Sequence, residues 1–436
     1  MKIAHILGIS LISAALGCSS PSSRNQVTLT YLDVEWDTPD AMPGLARDLQ
    51  DFTRETGIQI RRLPRPDGSL NQLTLLRELL QNGASAPDVV GIDVIWSGIL
   101  NEHLLDLKPY FASELGAQNP VVLESYTVDG KVVAIPHHAY VGVLYYRPDL
   151  LQKYGFREPP KTWQQLEVMA TRIQTGERAA GKEDFWGYVW QGGIDEDLTC
   201  NGLEWQISEG GGRIIERDKK ISVNNPQTIK GWQRAARWVG NISPPGVVAY
   251  GKWDAQNTWA SGNAAFLRSW MGDYGLLSRS WPLSAAPRIN FSKFGMTNVP
   301  GGTVNQGATL GGNGLSVSRT SLHQSEALEL VRFLIRRDVQ RMHEADRSQV
   351  PANLEIFELP PTFTLYSELT KSRDRRGALI TRPSVQAGSK YEDMTRAYIR
   401  EVHSVLSKEK SAAAAAADLE RQLVEITGFP TGAPPK

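Results

Sequence analysis

The decapeptide PDVVGIDVIW, Pro87 to Trp96, is apolar at almost every position and opens on a proline. A strand with one solvated face alternates apolar and polar residues. A short unbroken apolar run bounded by a breaker suits a strand buried on both sides, as in a mostly parallel sheet covered by helices. The preceding residues agree with such a layer arrangement. VTLTYLDV (Val27 to Val34) is β-rich, and Leu45, Leu49 and Phe52 then recur at helical spacing until Gly57. IQIRRL follows as a strand, and Leu70, Leu73, Leu76, Leu79 and Leu80 mark one face of a helix ended by Gly83. This is an α/β lobe, whose ligands sit beyond the carboxyl ends of its strands.

A second unit begins after GKVVAIP (Gly130 to Pro136). VGVLYYR reads as a strand and PPKTWQQLEVMATRIQTG as a helix. Thr162 and Gln165 fit a capping box, Leu166, Met169 and Ile173 form the buried stripe, and Gly176 follows the end. NNPQTIKGWQRAARWVGN predicts another helix, capped by Asn225 with Pro226 in its first turn and Ile229, Trp232 and Val239 on one face. Further helices are expected over Ser325 to His343 and from Tyr391 onward.

The N-terminus, MKIAHILGISLISAALGCSS, has a short basic start and an apolar run from Ile6 to Leu16, too short to span a bilayer stably. It reads as an export signal. Leu16, Gly17 and Cys18 resemble the end of a bacterial lipobox, in which the chain is cut before a diacylated thiol; ordinary cleavage after Ala15 is the alternative. The expected organisation is a signal peptide over 1–17 and a lipid-anchored linker over 18–26, exported to the cell envelope. Removing the signal leaves 419 residues, more than one core usually organises, so two lobes are expected. The chain has 47 basic and 47 acidic side chains, which gives no electrostatic footprint for nucleic acid.

Seven segments, taken in order, resemble one family: PDVVGIDVIW, GKVVAIPHHAYVGVLYYRPDLL, PPKTWQQL, LTCNGLEW, SPPGVVAY, SGNAAFLRSW and LGGNGLSVS. They are similar to landmarks of the extracellular solute-binding proteins of ABC importers, specifically the maltose and trehalose branch. The resemblance implies the periplasmic-binding-protein fold, two α/β lobes with a ligand cleft between them. It places crossings near His138 to Val143, Gly295 to Pro300 and Arg347 to Glu355. One lobe would hold residues 27–139 plus 299–348, the other 140–298 plus 349–436. It also implies capture of a saccharide, a disaccharide or short oligosaccharide, for membrane permeases driven by a cytoplasmic ATPase. The expected protein is a monomer, with no cofactor, metal or catalytic residue.

A sugar presents flat C–H faces and hydroxyls, so its site combines aromatic rings with polar acceptors. Asp93 closes the buried strand, as a ligand group or a helix cap. Trp96 either stacks on ligand or packs. His137 and His138 are adjacent, so an extended chain points them opposite ways and a shared metal is disfavoured. By resemblance, His138 and Tyr140 contact ligand from the first crossing, although Tyr140 stands where many relatives carry an acid. Trp270 matches the family's stacking tryptophan, with a core indole as its alternative. Gly312 and Asn313 fall where relatives often carry a second stacking tryptophan. Glu35, Asp67 and Arg347 are placed in the site only by position in the family pattern.

LTCNGLEW, Leu198 to Trp205, holds a thiol, an amide, a carboxylate and an indole without the base or further ligands that a catalytic cysteine or zinc site requires. It reads as pocket wall, with Glu204 on the ligand or solvated, Trp205 as packing and Cys200 as a small hydrophobe. The competing function is a surface lipoprotein glycosidase, in which Asp93 and Glu204 would be the paired acids.

Overall fold

The computed structural model describes residues 27–33, 43–66, 69–83, 87–274, 277, 294–304, 307–341, 350–358 and 379–435. Cys18 and the signal and linker segments, with Glu35, Asp67 and Arg347, lie outside them.

One sheet runs through the molecule. Its strands are β1 (Thr28–Leu32), β2 (Gln59–Arg62), β3 (Val89–Asp93), β6 (Ile135–Tyr146), β7 (Trp186–Val189), β8 (Ala264–Trp270), β9 (Gly295–Asn298), β10 (Ala308–Val317) and β11 (Leu379–Ile380), while β4 (Thr127–Val128) and β5 (Lys131–Val132) form a separate hairpin. The order is β2-β1-β3-β10-β6-β8-β7, with β11 beside β10 and β9 beside β6. β2, β1 and β3 are parallel, as the buried run predicts. The long strands β6 and β10 are antiparallel to their main neighbours, so the sheet is mixed where a mostly parallel one is expected.

The strand expected over VGVLYYR begins earlier, at Ile135, while Lys131 and Val132 of GKVVAIP belong to β5. Residues 135–146 make a single twelve-residue strand that changes partners along its length. Residues up to Val141 pair with β10, and from Gly142 onward with β8 and β9. The register slips between Asn313 and Gly314, so His138 faces Asn313 and Pro136 faces Gly314, leaving His137 as the extra residue of a bulge. The bulge cancels the strict alternation of an extended chain. The rings of His137 and His138 therefore lie 3.8 Å apart instead of pointing opposite ways.

The helices follow their local signals with two corrections. The helix Trp163–Ala179 is capped by the Thr162 hydroxyl, which accepts from Gln165 N, but it runs through Gly176. Gly176 continues it because its missing Cβ makes room for the Tyr154 ring, which would otherwise meet that atom at 2.1 Å. The helix Gln324–Leu334 stops at a turn over Ile335 and Arg336, and residues 337–341 resume helical structure, so the expected single helix is broken. Asn225 caps the helix Pro226–Trp238 as its sequence predicts, accepting from Gln227 N and Thr228 N.

Indoles dominate one part of the core. Trp163, Trp190, Trp205 and Trp238 pack at tilted or near-perpendicular angles with centroids 5.0 to 5.8 Å apart, the geometry that ring quadrupoles favour. In a separate core cluster, Leu29, Tyr31, Val89, Leu315 and Val317 pack with Leu330, Val331 and Leu334.

Candidate functional site

β3 ends at Asp93, and beyond its carboxyl end opens a cavity of about 340 Å³. Of the site residues expected from sequence, Asp93, Trp96, Tyr140, Trp270, Gly312 and Asn313 line it. Asp93 combines both of its readings: it faces the cavity, and its Oδ1 accepts from Ile95 N at 3.1 Å. Register makes Asp93 the partner of Asn313 across β3 and β10. Trp96 is 2 % exposed, a packed indole with an edge on the cavity.

Trp270 is held from three directions. Its indole Nε1 donates to Asp197 Oδ1 at 3.0 Å, the Arg268 guanidinium lies 4.5 Å from its ring centroid, and Gly311 backs its far edge. A Cβ at Gly311 would approach the ring to 2.9 Å, so glycine is what lets the indole lie against β10. Gly312 serves the backbone instead: φ is +122° and a Cβ would meet the His138 carbonyl oxygen at 2.2 Å.

Two expected residues sit elsewhere. Glu204 is fully buried and does not line the cavity. Its Oε2 accepts from Arg268 Nε at 3.1 Å, and its Oε1 accepts from Arg268 Nη2 at 2.7 Å, Thr309 N at 3.0 Å and Thr309 Oγ1 at 2.7 Å. An unpaired buried carboxylate would be costly, so the chain supplies a bidentate guanidinium, a backbone amide and a hydroxyl, and the carboxylate is shut away from the cavity. His138 is 1 % exposed, shut between β10 and a bridge to Pro351. Its ring packs against those of His137 and Tyr140, at 3.8 and 6.3 Å between centroids.

Beside Cys200, the cavity wall contains charged residues that no motif singled out. The helix Glu196–Ser208 presents Asp195, Glu196, Asp197 and Cys200 to it, with Asp195 as N-cap. LTCNGLEW thus lies inside that helix, contributing Cys200 to the wall and Trp205 to the core. Burial pushes the Cys200 thiol up to about 12, so it is an inert packing group. Arg382, just after β11, is 3 % exposed and joins both sides of the cleft: Nη1 lies 2.8 Å from Glu196 Oε1 and Nη2 3.6 Å from Asp93 Oδ1. Glu196 is fixed further by the Tyr391 and Thr395 hydroxyls at 2.6 and 2.8 Å. Lys252 pairs with Asp273 at 2.7 Å. Burial raises the Asp93 carboxyl above its ordinary range against the opposing pull of Arg382, and Asp197 raises it further. The run of three acids before LTCNGLEW was the available sequence signal for that wall; a two-residue strand gives none for Arg382. Among the described residues, no group of three or more His, Cys, Asp or Glu is arranged to hold a metal ion.

Residues 49–371 match the family model of the bacterial extracellular solute-binding proteins. The chain belongs to that family. This solute-binding protein is 35 % identical to a probable ABC transporter-binding protein of Deinococcus radiodurans, over 98 % of its own length and 99 % of the relative's. Its structure is similar to that of the maltose-bound MalE3 of T. maritima, at 28 % identity and TM-score 0.80, covering 92 % of this chain and all of the other. It is also similar in fold to an ABC transporter solute-binding protein of Thermotoga lettingae bound with α-D-tagatose, at 19 % identity and TM-score 0.78, over 92 % and 100 % of the two chains. The solute-binding protein has the periplasmic-binding-protein fold and is an exported component of an ABC importer, working with a permease and an ATPase. None of its described helices is long and apolar enough to cross a membrane.

Proposed function

We propose that this solute-binding protein captures a saccharide in the cleft between Asp93 and Trp270 and delivers it to the permease. One observation carries the reading: an indole fixed on the cavity wall stands beside carboxylates, the pairing of flat apolar area and strong acceptors that a sugar's two kinds of surface call for. The maltose and tagatose bound by the two similar structures support the same ligand class. The ligand set is Asp93, Trp96, Tyr140, Trp270, Asn313 and, added from the structure, Asp197 and Arg382. Glu204 and His138 leave that set.

The lobes are residues 27–139 plus 299–348 and 140–298 plus 349–436, and the partner switch of β6 after Val141 supports the first boundary to within two residues. The lipobox-like LGC supports acylation at Cys18 and an envelope location of a monomer held by its linker. Cys18→Ala is then expected to accumulate as uncleaved precursor, and its processing after Ala15 would overturn the anchor. A glycosidase built on Asp93 and Glu204 does not fit, because Glu204 is consumed by Arg268 and Thr309. Thermal unfolding against a panel of mono- and disaccharides tests the binding reading. A true ligand at 100 times its Kd adds about 2.7 kcal/mol of stability and is recovered chemically unchanged. No stabilisation by any saccharide would refute it.

A further inference from the structure

Charge is what the cleft leaves unbalanced. Five carboxylate side chains line the cavity against two cationic ones. Both cations are already engaged, Lys252 by Asp273 at 2.7 Å and Arg382 by Glu196 at 2.8 Å and Asp93 at 3.6 Å. The nearby guanidinium of Arg268, packed against the Trp270 ring, is bound by both oxygens of Glu204. Asp195 and Asp197 remain. Among the described residues, no lysine, arginine or histidine nitrogen lies within 4.0 Å of either carboxylate.

The helix that begins at Glu196 offers about half a unit of positive charge at its N-terminus, which does not offset two carboxylates in addition to Glu196. The repulsion shows in Asp195, an exposed residue whose carboxyl is nonetheless raised, by partial desolvation against the cavity wall and then by Asp197. Asp197 also touches the indole, accepting from Trp270 Nε1. A carboxylate beyond ion-pair distance of any described cation, coupled to Lys252 and Arg268 only at longer range and set at the rim of an aromatic ring, is the combination that attracts an ammonium group, through the ring quadrupole and a charge-assisted hydrogen bond together. A phosphate or sugar acid would meet like charge in the same place.

We propose that the solute is a saccharide carrying a protonated amine, an amino sugar, whose ammonium lies against Asp195, Asp197 and the Trp270 ring, and that acidic and phosphorylated sugars are rejected. This rests on the saccharide reading of the cleft. Calorimetric titration of matched probes tests it: glucose, glucosamine, N-acetylglucosamine and glucose 6-phosphate, and among disaccharides cellobiose, the fully deacetylated chitosan dimer and its N-acetylated form. At about pH 6.5 the sugar amine is protonated. The expected result is that an amine binds at least about tenfold tighter than its neutral counterparts and that the phosphate does not bind. In the double variant Asp195→Asn with Asp197→Asn, which keeps an acceptor oxygen for Trp270 Nε1, the ratio of amine to neutral affinity should fall toward one while the melting transition remains cooperative. Neutral sugars binding as tightly as their amines overturn the proposal and leave the saccharide reading standing. If no probe of any charge binds, both fall. An amine preference that survives in the double variant overturns the assignment to these carboxylates.

Discussion

Glu204→Ala strands a guanidinium in the protein interior. The Arg268 and Glu204 side chains are 1 % and 0 % exposed, and the carboxylate accepts four hydrogen bonds, two from Arg268 and two from Thr309. Truncation removes both acceptor oxygens and so all four bonds. Arginine does not shed its proton, so the charge stays in place without a counter-ion, and the buried Thr309 amide loses its partner. Breaking a buried pair from one side costs about 3 to 5 kcal/mol, a large share of the 5 to 15 kcal/mol that typically stabilises a native protein. Urea unfolding should show a lower midpoint at unchanged slope. The double variant Glu204→Leu with Arg268→Met removes both charges together and should recover most of the loss, because an apolar replacement of similar volume avoids desolvating either ion. A Glu204→Ala protein that unfolds at the wild-type midpoint but no longer binds solute would refute the reasoning and return Glu204 to the ligand set.

Trp270→Ala should weaken solute binding at least tens of fold, about 2 kcal/mol or more, with little change in the melting temperature of the empty protein; calorimetry and melting of one preparation decide between platform and core. Gly312→Ala should destabilise by about 1 to 3 kcal/mol, since its Cβ would fall 2.2 Å from the His138 carbonyl oxygen at φ +122°; an unchanged melting temperature would count against it. Glu177 is buried, with its carboxyl at about 2, where Lys153, Lys182 and the Tyr154 hydroxyl outweigh the effect of burial. Its folded value is depressed, so its contribution, about 1 to 3 kcal/mol because both lysines are half in water, is present above pH 4.5 and lost as pH falls toward 2; the stability gap between wild type and Glu177→Gln should close over that window. Cys200→Ala should bind solute normally, and the native thiol should resist Ellman's reagent until the protein unfolds.

Much of the fold was legible because apolar periodicity and turn chemistry are local. The buried run ending at Asp93, the Asn225 cap and the leucine face of residues 70–80 each depend on neighbours a few residues away. What failed depends on partners far along the chain. The strand expected over VGVLYYR was read too short because sequence does not show that β10 pairs with residues 135–141 and β8 with residues 142–146, keeping one strand extended throughout. The histidine pair was misread because a bulge is a property of two strands in register. Glu204 was assigned to ligand or to solvent because LTCNGLEW itself holds no cation to pair it, whereas its partner Arg268 lies 64 residues away on β8. Arg382 was missed for the same reason: a single arginine after a two-residue strand has no pattern, and its meaning comes from Asp93 and Glu196, brought to it from 289 and 186 residues away.

The residues proposed to grip the solute lie on the same segments that run between the two sides of the cavity. Tyr140 lies two positions before Gly142, where β6 passes from β10 to β8, and Gly142 is itself the register partner of Trp270. A Cβ at Gly142 would come within 2.4 Å of Glu204 Oε1 and 2.6 Å of Arg268 Nη2, so the buried ion pair packs directly on the point of transition. Trp270 rests in turn on Arg268. A change of twist in β6 at that point therefore moves Tyr140 relative to Trp270, and a ligand between those two rings opposes that change. Arg382 adds a second link of the same kind, since separating the walls stretches its contact to Asp93 or to Glu196. Binding and relative motion of the two sides are thus coupled through shared covalent segments, with no relay of intervening side chains required, which is the arrangement a carrier needs if docking on its permease is to loosen its hold on the cargo.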